Sequence, residues 1–169
     1  AKSLENKEME SVIVDYMLKS SDERVVINDF VQGEPLSEEN LDRTLELVSN
    51  LRKVDFANPC KIRVSEDKNT DKIRLLFPNK SIWIYSGYLW EECQPFNEDG
   101  LLKPDKFAPN LQKILQKRYE VISMCTVMVD GRYIDSQRNP SKKWAGSDNQ
   151  RVISIQESIE QGKVVLYCD

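Results

Sequence analysis

Three short clusters carry the side chains with most chemistry to offer: Gly33-Glu34-Pro35, Ser86-Gly87-Tyr88 and Asp130-Gly131-Arg132. In each, a glycine sits beside a charged or hydroxyl group, so a ligand could approach the backbone closely and still meet a polar partner. Glu34 could accept hydrogen bonds from an ammonium group. A helix starting after Pro35 would offer its free N–H groups to a carboxylate. A zwitterionic amino acid suits that combination. The loop Pro140–Arg151 adds Ser147, Asn149 and Gln150, small hydroxyl and amide groups able to bond a polar ligand. Histidine is absent, which excludes an imidazole base, a Ser-His-Asp triad and any His-ligated metal. Cys60, Cys93, Cys125 and Cys168 lie 33, 32 and 43 residues apart with no CxxC pair. That spacing fits free thiols better than a metal knuckle.

Each cluster also has a plainer reading. Gly-Glu-Pro is a good strand-to-helix connector with a solvated acid, and Asp-Gly after an apolar run is a common turn. What favours a site is where the clusters fall. All three follow runs that read as β-strands, and in open or partly closed parallel sheets ligands bind off the carboxyl ends of the strands.

The elements that would position them are legible from periodicity. Residues 5–19 place Met9, Val12, Ile13, Tyr16 and Met17 on one helical face. "RVVINDFV", residues 24–31, is a β-branched run typical of a buried parallel strand. Ser37 can then cap a helix with Leu41, Leu45, Leu47, Val48 and Leu51 turned inward. Residues 54–80 read as an insertion, "CKIRV" and "KIRLLF" flanking a polar turn as a small hairpin. "SIWIYSG", residues 81–87, is expected as a strand, with a helix from about Leu89; "NLQKILQKRYE" reads as a helix. "VISMCTVMVDG" reads as a central buried strand, and the segment from Arg151 onward as strand, turn or short helix, and strand. The fold class is therefore α/β with a mostly parallel sheet and flanking helices.

At 169 residues, with 40% hydrophobic and 31% charged side chains, the chain suits one globular domain spanning 1–169. No apolar run approaches the roughly 18 residues of a membrane span and no basic-then-apolar leader opens it, so a cytoplasmic protein without a membrane partner is expected. The net charge of −4 gives no general pull toward nucleic acid. Residues 131–151 nevertheless hold five basic side chains against two acids, with Tyr133 and Trp144 interleaved, so a single-strand nucleic-acid patch stands as an alternative.

Taken in order, "QGEPL", "KSIWIYSGY", "VMVDGRY" and "WAGSDNQRVI" resemble the activating proteins of anaerobic ribonucleoside-triphosphate reductases, members of the radical S-adenosylmethionine superfamily. The resemblance runs from about Val25 to Asp169 apart from 54–80. It implies a partial (β/α) barrel of the radical S-adenosylmethionine type, incomplete at its N-terminus, binding that cofactor at the strand ends. By the same resemblance, Gly33 and Glu34 would hold the methionine ammonium, with Gln32 standing where the family has another glycine. Ser86 matches a small polar position, and Asp130 with Arg132 resembles an acid-x-basic pair that reaches the ribose and carboxylate. Ser147, Asn149 and Gln150 match a motif expected to serve cofactor binding or partner docking. The family's CxxxCxxC, whose thiolates hold a 4Fe–4S cluster, is missing. Because "AKSLEN" resembles the sequence just after its third cysteine, the cluster ligands are expected upstream of Ala1.

The implied function is an activase that uses the cluster and S-adenosylmethionine to leave a glycyl radical on the reductase large subunit, its partner. No catalytic acid–base residue is implied. The alternatives are a cluster-free, non-catalytic binding module of the same fold and another radical S-adenosylmethionine enzyme acting on a small molecule.

Overall fold

The computed structural model describes residues 24–53, 81–103 and 110–167. The amphipathic stretch 5–19, the 54–80 insertion, Cys60 and Cys168 lie outside the described residues. Four strands form one mixed sheet in the order β1 (Arg24–Val26), β2 (Ser81–Tyr85), β3 (Val127–Asp130) and β4 (Arg151–Ser154). β1, β2 and β3 run parallel, with Val25 opposite Ile82 and Trp83 opposite Val127. β4 is antiparallel to β3 and sets Asp130 opposite Arg151. Three α-helices accompany the sheet among the described residues: α1 (Leu41–Lys53), α2 (Leu111–Ser123) and α3 (Ile155–Gln161). The α/β class and mainly parallel pairing agree with the sequence.

The period-2 alternation of β2 explains the two-sided packing. Ile82 and Ile84 point to one face and join Leu47, Val48 and Leu51 of α1, Val121 and Ile122 of α2, and Ile155 of α3 in the main core. Trp83 points to the other face, where it packs with Val127, Val129, Trp144 and Tyr167. Helices therefore cover one side. A loop and the chain's last described residues cover the other.

Several boundaries differ from the sequence expectation. β1 stops at Val26, because Ile27–Asp29 coil into a 3₁₀ turn. Asn28 explains the stop: its side chain donates to the carbonyl of Tyr85 (2.8 Å) and accepts from the N–H of Tyr85 (2.9 Å), so a side chain completes the ladder in place of a backbone. The helix expected from Ser37 starts at Leu41. Ser37 Oγ instead accepts from Asn40 N–H and donates to the Glu34 carbonyl, closing a turn ahead of the helix. The helix expected near Leu89 is one 3₁₀ turn, Trp90–Cys93. "VISMCTVMVDG" divides: Val121–Ser123 complete α2, because Leu115, Arg118, Val121 and Ile122 continue its buried stripe, and only Val127–Asp130 are strand. That strand is central and buried at every position, as expected.

Candidate functional site

Because β1, β2 and β3 are parallel, the three clusters after them emerge at one edge of the sheet. There Gly33, Glu34, Ser86, Gly87, Gly131 and Arg132 line a cleft of about 250 Å³, with Asn28 and Gln150 completing its wall. This is less than the roughly 300–1,000 Å³ of a site enclosing a drug-sized ligand, so the cleft has room for the end of such a ligand rather than all of it.

Glu34 ties the cleft together. Its carboxylate accepts from the Gly87 N–H at 2.6 Å, the Leu36 N–H at 2.8 Å and the Ser86 hydroxyl at 3.0 Å. All three donors are neutral, and no ion pair reaches Glu34 among the described residues. Gly87 is pressed between two side chains: a Cβ there would lie 3.2 Å from Arg132 Cγ and 3.4 Å from Glu34 Oε1. Arg132 and Glu34 thus both approach Gly87, a cation and an anion near one bare stretch of backbone. The N–H groups of Leu36 and Ser37, in contrast, bond Glu34 itself and are not open to a ligand carboxylate.

Asp130 lies elsewhere. It is fully buried, and its oxygens take Arg151 at 2.6 and 3.1 Å and the Trp90 N–H at 2.7 Å. Arg151 also reaches Glu91 at 2.7 Å. These bonds raise the Arg151 pKa, Asp130 contributing most, and the Arg151 hydrogen bond lowers that of Glu91. Asp130 therefore shares a sheet edge with Glu34 but does not open into its cleft.

Ser147, Asn149 and Gln150 form a knot behind the cleft. Buried Ser147 donates to Asn149 at 2.6 Å and accepts from the Ile134 N–H; Asn149 donates to the Arg132 carbonyl at 2.7 Å. Gln150 donates to the Gly131 carbonyl at 3.0 Å and accepts from the N–H groups of Gly146 and Ser147. The knot fixes the backbone on both sides of Arg132, where Gly131 adopts a positive φ of 93°.

Two residues of the site escape a motif-based reading. Asn28 joins the ends of β1 and β2. Arg118 on α2 donates to the carbonyls of Leu36 (3.0 Å) and Glu92 (3.2 Å) and stacks 3.8 Å from the Tyr88 ring centroid. Their sequence signal is a polar residue in an apolar run and a cation on an apolar helical stripe.

The chain matches the family described as "4Fe-4S single cluster domain" over residues 68–153. It is 27% identical over 85 residues to the anaerobic ribonucleoside-triphosphate reductase-activating protein of Escherichia coli K12, covering 50% of this chain and 42% of that protein. It is 28% identical over 88 residues to the protein of the same name from Enterobacteria phage T4, covering 52% and 40%. The matched stretch thus spans less than half of these relatives. No solved structure matches the chain. With half of its length matched, the chain belongs to the 4Fe-4S single cluster domain family.

The described residues do not fit the cluster that this description implies. Cys93 and Cys125 are both fully buried in the main core. Burial pushes the Cys93 thiol up to about 12, and Cys125 Sγ donates to the Val121 carbonyl at 3.4 Å. No group of three potential ligands occurs among the described residues. No helix there is long and apolar enough to cross a membrane.

Proposed function

We propose that this chain is the cofactor-binding part of an activating protein for an anaerobic ribonucleoside-triphosphate reductase, and that the Glu34 cleft takes the amino-acid end of S-adenosylmethionine. The observation that carries this reading is that Glu34 and Arg132 line one cleft and both approach Gly87. A carboxylate without an ion pair among the described residues receives an ammonium, while the guanidinium of Arg132, which lines the same cleft, receives a carboxylate. The names of the E. coli and phage T4 relatives, and the ordered motifs after β1, β2 and β3, support the partner and the cofactor. The partial barrel implied by the motifs agrees with an open sheet whose parallel strands end at one cleft.

In this reading Gly33, Glu34, Ser86 and Arg132 contact the cofactor. Asp130, Ser147 and Asn149 hold the loops that present them. Cleaving S-adenosylmethionine to leave a glycyl radical on the reductase needs an electron that the described side chains do not supply. The work assigned to this chain is binding and orientation. Calorimetry with S-adenosylmethionine tests it. Glu34→Gln is expected to weaken binding about ten- to a hundred-fold, the effect of losing a charged hydrogen bond of roughly 1.5–3 kcal/mol. Unaltered affinity in that variant rejects the assignment.

The burial of Cys93 and Cys125 favours a second reading, a binding module that works without a cluster. Iron analysis of the full-length, anaerobically prepared protein separates the two: bound iron near four per chain supports the activase, and iron-free protein that still binds S-adenosylmethionine supports the module.

A further inference from the structure

The connection from β2 to the parallel strand β3 leaves β2 at its carboxyl end, the edge that carries the Glu34 cleft, before it turns into α2. It is anchored there twice: the Trp90 N–H bonds Asp130 at 2.7 Å, and Glu91 pairs with Arg151 at 2.7 Å. Beyond that anchor, residues 95–103 form a small hairpin. Phe96 bridges Leu102 in antiparallel fashion, the Lys103 N–H bonds the Pro95 carbonyl at 2.9 Å, and the Asn97 N–H bonds the Leu101 carbonyl at 2.8 Å.

The hairpin is held in one shape. Asn97-Glu98-Asp99-Gly100 is a turn signature: the Gly100 N–H bonds the Asn97 carbonyl at 2.9 Å, Gly100 takes a φ of 80°, and Asp99 accepts from the Leu101 N–H at 3.0 Å. Gln112, at the start of α2, clamps both arms by donating to the Pro95 carbonyl at 2.9 Å and the Lys103 carbonyl at 2.6 Å. Lys103 Nζ closes the base on the Glu91 carbonyl.

This ordered hairpin nevertheless leaves its apolar side chains in water. Phe96, Leu101 and Leu102 are 52%, 66% and 57% exposed. Scattered exposed leucines need no explanation, but three of the seven large exposed apolar residues of the described chain fall within seven consecutive positions. Phe96 and Leu102, opposite one another in the bridge, share one face. Because the turn and the Gln112 clamp order these side chains beforehand, a partner that covers them meets a smaller entropic cost. Charge indicates the kind of partner. Residues 91–103 carry four acids, Glu91, Glu92, Glu98 and Asp99, against one base, Lys103. Glu98 and Asp99 flank the apolar tip, are exposed and enter no ion pair among the described residues. The complement of such a tip is an apolar pocket bordered by lysine or arginine.

We propose that the 96–102 hairpin is a docking surface for a partner protein that receives it in an apolar pocket with a basic border. Under the function proposed above, on which this inference rests, that partner is the reductase large subunit. The hairpin then meets it at the same sheet edge as the cofactor cleft. A second copy of this chain is disfavoured, because a two-fold contact through the hairpin would set Glu98 and Asp99 against their own counterparts.

The test measures, by calorimetry, binding of the full-length, anaerobically prepared protein to the reductase large subunit. Leu101→Ser combined with Leu102→Ser is expected to weaken that binding at least about ten-fold. Glu98→Lys combined with Asp99→Lys is expected to weaken it severalfold, with a smaller effect at high salt. All four side chains are exposed, so the variants keep their fold, which unchanged circular dichroism verifies. Wild-type affinity in the leucine variant overturns the proposal and leaves the reductase as partner. Wild-type protein that does not bind the reductase overturns both. A wild-type dimer in sedimentation that the leucine variant dissolves, with reductase binding unchanged, overturns the proposal in favour of a second copy. S-adenosylmethionine affinity, expected to be unchanged in both variants, reports the Glu34 cleft separately.

Discussion

Glu34 and Asp130 stand at the same edge of one sheet, each a carboxylate accepting backbone N–H groups after a parallel strand. Glu34 follows β1, is half-buried and is held by neutral donors alone. Asp130 ends β3, is fully buried and faces Arg151 across the β3–β4 ladder. Desolvating a carboxylate is tolerable when a cation compensates it, and that compensation removes it from ligand chemistry. A half-buried carboxylate without an ion pair stays open to a ligand. Two acids in equivalent sequence settings thus differ: one is a fastener, and the other, in the function proposed above, a receptor.

The sharpest way to break this contrast is Arg151→Met. It strands the buried Asp130 charge and is expected to cost about 3–5 kcal/mol in urea unfolding. A double change, Asp130→Leu with Arg151→Met, should recover most of that loss. A cost below about 1 kcal/mol for the single variant would mean that Asp130 is compensated some other way. Glu34→Gln is expected to cost less, about 1–2 kcal/mol, because an amide keeps only one acceptor for three donors but strands no charge. A loss equal to that of Arg151→Met would make Glu34 a fastener too.

Gly87→Ala sharpens the same distinction from inside the cleft. Its Cβ would press on Arg132 Cγ and Glu34 Oε1, both movable side-chain atoms, so stability should fall by less than about 1 kcal/mol while S-adenosylmethionine binding weakens severalfold. Loss of stability without loss of binding would reverse the reading.

The smallest effect belongs to the exposed arm of the Arg151 cluster. Arg151 lowers the Glu91 pKa from its ordinary 4.5. A carboxylate whose folded pKa is depressed adds stability that is complete above its unfolded pKa and disappears as pH falls through the folded one. Glu91→Gln should therefore remove a few tenths of a kcal/mol at pH 7 and nothing once the pH lies below both values. Unfolding curves at pH 7 and in strong acid measure the difference.

Much of the scaffold was legible because local periodicity dictates it. The stripe through Leu41, Leu47, Val48 and Leu51 and the alternation of Ile82, Trp83 and Ile84 hold one solution each. Boundaries were less legible. A side chain, Asn28, ends the β1–β2 ladder, and Val121 and Ile122 suit a helix stripe as well as a strand. Tertiary packing chose between the two. A cleft beside β4 had one sequence signal, the basic and aromatic stretch before Arg151. Its shape came from Leu166 and Tyr167 folding back on β4.

By itself, the sequence determined that three polar clusters follow strand-like runs, that no histidine is available, and that an acid flanked by Gly33 and Pro35 closes the first run. Only the tertiary structure decided which acid is neutralised. That outcome depends on cross-strand register, which sets Arg151 opposite Asp130 and leaves Glu34 beside Ser86 and Gly87. Register follows from which apolar faces are buried together, a global property that no single stretch of chain contains.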